Sequence, residues 1–198
     1  MRETVYQTLE DFLAASLRDE ITPRFYFDTN VILDLIEGRQ VLSFDLFELL
    51  IRRKKWELYT SIFAEVEIYE KKQKDEFRRK KEGIGWSSAK IVRNMDKRDL
   101  SSKTLKSISE KADAELNNVI QHFQSIRRLN DYGWDLAVDI KRTTNLTDKD
   151  TIHLAESLLV PCDVFLTRDK FLIEIAREFL WAVKPDEVID ILNGLKAS

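Results

Sequence analysis

Apolar residues recur along the chain at two spacings, and their order predicts helices that alternate with short buried strands. Helical spacing is clear in residues 4–20 and 43–54, and again in "TNLTDKDTIHLAESLLV". Residues 25–27, residues 56–61 and "CDVFLT" have the length and composition of buried strands, and "WAVKPDEVIDIL" predicts a further strand and helix. Strands that alternate with helices indicate an α/β fold, a parallel sheet covered by helices on both faces.

The middle of the chain has a different composition. Residues 71–98 contain eleven Lys or Arg and four acids, with Gly83 and Gly85 dividing two helical pieces. Residues 104–129 are predicted to form one long helix. We therefore expect a single domain over residues 1–198, in which residues 71–145 form a basic, helical insertion in the sheet-based core.

Composition narrows the functional classes. The formal net charge of −3 means that contact with a nucleic acid has to come from a local basic patch. The only cysteine, Cys162, cannot form an internal disulfide, and we expect it to be buried next to its strand. The charged N-terminal residues are not typical of a signal peptide, and no apolar run approaches the roughly 18 residues that span a bilayer. We expect a cytoplasmic protein with no membrane contact.

Acidic residues stand where the predicted strands end. Asp28 follows the first strand, Glu65 comes just after the second, and Asp169 follows "VFLT". Asp150 opens the helix that precedes that last strand. In open α/β sheets, ligands bind outside the carboxyl ends of the strands. These four carboxylates are therefore predicted to meet at one edge of the sheet.

Such a cluster requires a compensating charge. Two unit charges 4 Å apart repel by roughly 4 kcal/mol at a surface-like effective dielectric. Protons or a divalent cation can offset this, and all-oxygen sites suit Mg²⁺ or Mn²⁺. The two histidines, His122 and His153, and the single cysteine lack the spacing of a zinc site. The pattern favours a site for a hard divalent metal.

Each acid also has a purely structural interpretation. We predict that Asn30 caps the helix over residues 31–37, and Asp28, close to it, can act as a helix cap as well. Glu65 can be a solvated helix residue. Asp150 can be a first-turn acid favoured by the helix dipole, and Asp169 can be a turn residue. It is the combination of all four that favours the metal site.

The two histidines are assigned structural positions. His153 lies three residues after Asp150 and so shares its helix face. Such a pair ligates iron in helical bundles when a second pair faces it, and the sequence contains no second pair. We therefore expect His153 to be a packed helix residue and His122 to lie on the surface.

The sequence resembles the PIN-domain nucleases, including the toxin components of VapBC-type toxin–antitoxin pairs. The matching pieces are "FYFDTNVILDLIEG", "YTSIFAEVE", "DKDTIHLAESLLVPCDVFLTRDKFL" and "VKPDEVID". The resemblance implies a three-layer α/β/α sandwich with a central parallel sheet, and metal-dependent hydrolysis of phosphodiester bonds in RNA.

The resemblance also implies roles for particular residues. It makes Asp28, Glu65, Asp150 and Asp169 the metal-binding acids, with Asn30 and Thr167 supporting the first and last of them. Two positions have a rival. Glu67 is an alternative to Glu65, but is expected to face elsewhere on the helix. Asp148 is an alternative to Asp150, expected before the helix, where it can act as an outer ligand.

The implied function has partners and rivals. The resemblance implies RNA as the substrate. It also implies an antitoxin or another protein as a partner, and a homodimer. The main alternative is a non-catalytic RNA-binding or protein-interaction module with the same fold. A phosphatase with an aspartyl nucleophile is a weaker alternative, because its general acid would stand two residues after Asp28, where the chain has Asn30.

The basic run provides a candidate RNA contact. The residues chosen are Arg78, Arg79, Lys80, Lys81 and Trp86. The cations can bind phosphates, and the indole ring can stack on a base. The alternative is a solvated helical face, which is what most charge runs are.

Overall fold

In residues 6–126, 129–160 and 162–197, which this computed structural model describes, five short strands form one parallel sheet. The strands are β1 (Arg24–Phe27), β2 (Glu57–Ser61), β3 (Gln124–Ile126), β4 (Val164–Leu166) and β5 (Trp181–Val183). Their order across the sheet is β3-β2-β1-β4-β5, and each neighbouring pair is parallel. The carboxyl ends of the strands therefore lie at the same edge.

Helices cover both faces of this sheet. Those in the described ranges are α1 (Leu9–Leu17), α2 (Thr29–Glu37), α3 (Val41–Ile51), α4 (Ile62–Gly83), α5 (Ser88–Arg93), α6 (Ser102–Ile120), α7 (Asp131–Thr143), α8 (Asp148–Leu159), α9 (Lys170–Ala176) and α10 (Pro185–Ala197). A single turn of 3₁₀ helix, Met95–Lys97, follows α5. None of the helices in these ranges combines the length and the apolar character needed to cross a membrane.

The side chains of β1 show how the layers are built. Successive residues of a strand point to opposite faces of its sheet. Phe25 and Phe27 belong to the core beneath α1, α2, α3 and α10, whereas Tyr26 belongs to the core beneath α7, α8 and α9. All three side chains are fully buried. The predicted three-layer α/β/α architecture with a central parallel sheet is confirmed.

The strand order creates a crevice between β1 and β4. From β1 the chain runs to β2 and β3 on one side, and then crosses to β4 and β5 on the other. The direction of winding thus reverses between β1 and β4. In open α/β sheets, the gap at the carboxyl ends of two such strands is the usual ligand site.

The predicted helix over residues 104–129 is wrong. Helix α6 ends at Ile120, and Gln124–Ile126 pair with β2 as the edge strand β3. A three-residue edge strand needs only one partner strand, so its sequence carries little of the apolar pattern that marks a central strand. Residues 71–145 therefore include a strand of the sheet and are not helical throughout. Their description as an insertion, and the single domain over residues 1–198, stay predictions.

Two helix starts also differ from the sequence prediction. Helix α2 begins at Thr29, so its cap is Asp28 and Asn30 lies inside the helix. Helix α3 begins at Val41, so Ser43 is an internal residue that donates to the buried Asp34. In both cases a polar residue expected to cap a helix bonds another side chain. The prediction over residues 4–20 corresponds to α1, with residues 1–5 outside the described ranges.

Candidate active site at the carboxyl ends of the central strands

Asp28 lies at the mouth of the crevice between β1 and β4, and it is 5% exposed. Its Oδ1 accepts the backbone N–H of Thr29 at 2.7 Å, and its Oδ2 accepts the Thr167 hydroxyl at 2.6 Å. The Asn30 amide donates to the same Oδ2 and also to Thr167 Oγ1. Burial raises the pKa of Asp28, although His153, Thr167 and the Thr29 backbone N–H act in the opposite direction. Asn30 and Thr167 thus hold the carboxylate from two elements.

Glu67 brings a second carboxylate to Asp28 from helix α4. The Thr29 hydroxyl donates to Glu67 Oε2 at 2.5 Å, and His153 Nε2 lies 2.8 Å from the same oxygen. Lys149 Nζ lies 3.2 Å from Glu67 Oε1. Burial alone raises the pKa of Glu67, but the bonds from His153 and Thr29 outweigh it and lower the pKa to about 2. Glu67 is therefore ionised near neutral pH.

His153 joins the two carboxylates in the interior. Its side chain is 1% exposed, and its Nε2 lies 2.8 Å from Glu67 and 3.8 Å from Asp28 Oδ1. Its Nδ1 lies 2.8 Å from the Tyr26 hydroxyl, which donates to Glu156 at 3.0 Å. Burial lowers the pKa of His153, but Glu67 and Asp28 raise it above its usual value. We call these five residues the His153 cluster.

Sequence reasoning missed most of this cluster. His153 is packed within α8, as expected, but its partners are polar and connect it to Asp28. Two signals were present in the sequence. His153 and Glu156 stand three residues apart on one helix face, and Tyr26 is the one phenol in the strand "RFYF". A buried phenol needs a hydrogen-bond partner, and the His153 cluster provides it.

The structure places Glu67, and not Glu65, against Asp28. Two residues along a helix correspond to a rotation of about 200°. Because Glu67 contacts Thr29 and His153, Glu65 is directed toward a different side of α4, and its charge acts on Tyr69 one turn further on. The expectation that Glu67 faces elsewhere is wrong. The geometry supports Glu67 as the second acid of the site.

Asp148 and Asp150 occupy the first turn of α8. Asp150 forms a reciprocal cap with Thr147, whose hydroxyl donates to Asp150 Oδ2 at 2.6 Å and accepts the Asp150 backbone N–H at 3.3 Å. Asp148 is the first residue of α8, so its expected place before the helix is wrong. It is 88% exposed and pairs with Lys141 Nζ at 3.0 Å. The contacts of both acids match the first-turn interpretation.

Asp169 stands at the same sheet edge as Asp28 and is exposed. Its side chain caps α9 by accepting the backbone N–H groups of Phe171 and Leu172 at 2.8 and 3.0 Å. Its own N–H donates to Thr167 Oγ1 at 3.2 Å, and Thr167 donates to Asp28. Asp169 is thus connected to Asp28 through a single hydroxyl.

Arg168, directly after β4, forms an ion pair with a buried carboxylate of α2. Arg168 Nη1 donates to both carboxylate oxygens of Asp34, at 3.1 and 3.0 Å. Asp34 belongs to α2, is 2% exposed and also accepts the Ser43 hydroxyl at 3.1 Å. The Arg168 backbone N–H donates to Asn30 Oδ1 at 3.0 Å. No sequence signal marked this pair.

The positions of the acidic side chains near Asp28 determine which kind of metal site they fit. In the described part of the chain, no group of three or more His, Cys, Asp or Glu side chains is arranged to hold a metal ion. The four predicted acids therefore do not form a closed cage. Mg²⁺ is more often bound by one or two carboxylates together with waters and substrate phosphates. Asp28 and Glu67, which converge on His153, fit that open mode.

The basic run is occupied by contacts within the chain. Arg79 binds Glu76, Lys80 donates to Thr104, and Lys81 pairs with Asp99 at 3.0 Å. Trp86 is half-buried, with Lys81 Nζ and Lys90 Nζ at 4.8 and 4.1 Å from its ring centre. Arg78 is exposed. These contacts match the interpretation as a solvated helical face, and RNA binding by this segment stays a prediction. His122, in the turn after α6, is exposed beside Phe47.

No family model matches the chain, and no curated protein does. Among solved structures, this fold is similar to that of a chain in the crystal structure of VapBC2 from Rickettsia felis, which is bound to a DNA fragment from the VapBC2 promoter. That match has a TM-score of 0.51 and 12% identity, and it covers 81% of this chain and 98% of that one. A chain of FitAcB from Neisseria gonorrhoeae matches with a TM-score of 0.48, 12% identity and coverage of 81% and 97%.

These comparisons correct the family assignment made from the sequence motifs. At 12% identity, the likeness to the VapBC2 chain shows a shared fold and nothing finer. Identification of this chain as a PIN-domain family member, a VapC-like ribonuclease, is therefore wrong, since no family model supports it and the likeness is to a chain of an assembly. The functional argument has to rest on the geometry of the site.

Proposed function

We propose that this chain is a metal-dependent endoribonuclease that hydrolyses phosphodiester bonds in RNA in the crevice between β1 and β4. One observation carries the proposal: Asp28 is a buried carboxylate at the point where the winding of the sheet reverses, and Glu67 lies beside it. Catalytic groups in α/β proteins gather at this position because several strand ends meet there. RNA as the substrate is part of this proposal, and a cleavage assay with RNA tests it.

The proposed cofactor is Mg²⁺ or Mn²⁺, with Asp28 and Glu67 as the residues that would hold it. A bound ion supplies an acidified water and stabilises negative charge on the phosphate. Asp169, at the same edge, is proposed as a further ligand. Glu65 and Asp150 stay predictions, because the described contacts of Asp150 are those of a helix cap and it is Glu67, on a different side of α4 from Glu65, that contacts Thr29 and His153.

The chain itself fixes the orientation of Asp28. Asn30 and Thr167 both donate to Oδ2, so the carboxylate cannot rotate without breaking two hydrogen bonds. Thr29 donates to Asp28 through its backbone and to Glu67 through its hydroxyl, which sets the two acids relative to each other. Carboxylates held in this way require little rearrangement when a ligand binds.

A second function is favoured by a specific observation. The described residues contain no group of three metal-binding side chains, and two of the predicted acids cap helices. A non-catalytic module that binds RNA or a protein would need none of them as ligands. Under this alternative, the His153 cluster serves stability alone.

Partners and location follow as proposals. The VapBC2 structure, one chain of which shares this fold, is that of a toxin–antitoxin complex. This supports a protein partner, such as an antitoxin, and a toxin-type role. We also propose a homodimer and a cytoplasmic location, the latter supported by the lone, buried Cys162. Light scattering of the purified protein tests the dimer directly.

The deciding experiment is an RNA cleavage assay. Purified protein is incubated with structured and single-stranded RNAs in Mg²⁺, Mn²⁺ or EDTA, beside the variants Asp28→Asn, Glu67→Gln and Glu65→Gln. We expect metal-dependent cutting that Asp28→Asn and Glu67→Gln abolish. Loss in Glu65→Gln together with retention in Glu67→Gln would restore the assignment made from the sequence. Absence of cutting by folded wild-type protein in every metal would favour the binding module.

A further inference from the structure

Arg168, directly after β4, has no role in the function proposed so far. It follows Thr167 directly, and its backbone N–H donates to Asn30, the residue whose amide donates to Asp28. Its place is therefore fixed relative to the central carboxylate. The side chain is 40% exposed. A cation so placed can reach a ligand that enters the crevice.

The guanidinium of Arg168 is held from behind by the buried Asp34. Nη1 alone binds both oxygens of that carboxylate, at 3.1 and 3.0 Å. With its amide oxygen turned toward Arg168, Gln40 accepts from Nη1 and Nη2 at 3.3 Å. Both contacts anchor the Nη atoms. An arginine anchored in this way loses little conformational entropy when it binds a ligand.

Nε of Arg168 and the second N–H of Nη2, the one that Gln40 does not accept, form an edge that is left for a ligand. In Arg18 and Arg79, the same two nitrogens together bind a glutamate, at 2.7 and 3.1 Å and at 2.9 and 2.8 Å. Among the residues that the structure describes, no carboxylate meets this edge in Arg168. The paired N–H groups of a guanidinium match the oxygens of a phosphate as well as those of a carboxylate. The edge thus suits an anion from outside the chain.

We propose that Arg168 binds a backbone phosphate of single-stranded RNA and holds the strand against Asp28. This inference rests on the proposed function, and it adds a positioning residue for the substrate. It also adds a cation at the carboxyl end of β4, whereas Arg79 and Lys81 of the basic run bind acids that lie away from the crevice. An acidic crevice needs such a cation to attract nucleic acid.

The test is RNA binding measured without cleavage. A fluorescent single-stranded RNA is titrated in EDTA, at several salt concentrations, with wild type, Arg168→Gln, Arg168→Lys and Arg52→Gln. Arg52 is a matched control, an exposed arginine paired with Glu48 after α3, at the opposite edge of the sheet. Thermal unfolding of each variant shows whether it is folded.

We expect Arg168→Gln to weaken binding about tenfold, the range for losing a hydrogen bond to a charged group. The slope of log affinity against log salt should fall by about 0.7, the value for one phosphate contact on a single strand. Arg168→Lys should keep the slope, since the charge remains, and still lose affinity because the paired donors are gone. Arg52→Gln should behave as wild type.

Unchanged affinity and slope in Arg168→Gln would overturn the inference, and a lowered melting temperature would then assign the Asp34 pair to stability alone. Cleavage that depends on Asp28 but not on Arg168 would overturn only this inference and leave the proposed function standing. Wild-type protein that neither binds nor cuts RNA would overturn both.

Discussion

Replacing Glu67 by Gln removes the negative charge that Thr29, His153 and Lys149 contact. Glu67 is 15% exposed and bonds to Thr29, His153 and Lys149. The lowering of its pKa from 4.5 to about 2 corresponds to a preference for the ionised form of about 3 kcal/mol. We expect Glu67→Gln to lower the free energy of unfolding by about that amount at pH 7, in the range for breaking a buried ion pair.

The matched comparison is Glu65→Gln, the same substitution two residues earlier on α4. Glu65 faces a different side of α4 from Glu67, so we expect Glu65→Gln to lower the free energy of unfolding by less than Glu67→Gln does. The free energy of unfolding of wild type and both variants is measured with urea, in EDTA so that metal binding does not contribute. Equal dependence on urea concentration in the three proteins shows that the denatured states are comparable.

The dependence on pH provides a second check. A carboxyl whose pKa is lowered on folding stabilises the protein above its unfolded pKa, and this contribution is lost as the pH falls through the folded value. The difference between wild type and Glu67→Gln should therefore be complete above pH 4.5 and should shrink toward pH 2. If Glu67→Gln is as stable as wild type, or if Glu65→Gln costs more, our placement of Glu67 is refuted.

Two further outcomes test neighbouring parts of the site. Bonds from Lys149 and Lys74 lower the pKa of Glu70 to about 2. In acid unfolding curves, Glu70→Gln should therefore lose less free energy of unfolding than wild type does between pH 4.5 and 2. An unchanged curve would contradict this. Thr147→Ala removes the partner of Asp150 in the cap of α8 and should cost about 1 kcal/mol by urea unfolding. A cost near zero would show that the cap is not formed.

The central strands could be predicted from the sequence because they are buried on both faces. Strands β1 and β4, "RFYF" and "VFL", are nearly continuous apolar runs, as expected in the middle of a parallel sheet. Strand β3, "QSI", lies at the sheet edge, and local sequence gave no reason to separate it from the preceding helix. Its pairing depends on β2, which lies more than sixty residues earlier.

The site residues, like the strands, divide into those that local sequence predicts and those that depend on the packed structure. Asp28 follows from local pattern, since a carboxylate after a buried strand stands at the ligand-binding edge. The choice between Glu65 and Glu67 depends on how α4 is rotated against the sheet, and helix periodicity alone does not fix that rotation. The polar partners of His153 could not be predicted for the same reason. Its partners come from β1, α2 and α4, and only the packed structure brings them together.

The bond between Thr167 and Asp28 joins residues that are 139 positions apart in the chain. During synthesis on a ribosome, β1 and Asp28 emerge long before β4 and Thr167 do. Over that interval the carboxylate lacks the hydroxyl that orients it and the strand that buries it. A growing chain is thus without a finished crevice until β4 and Thr167 have been translated and have packed against β1, so any activity centred on Asp28 is delayed until then.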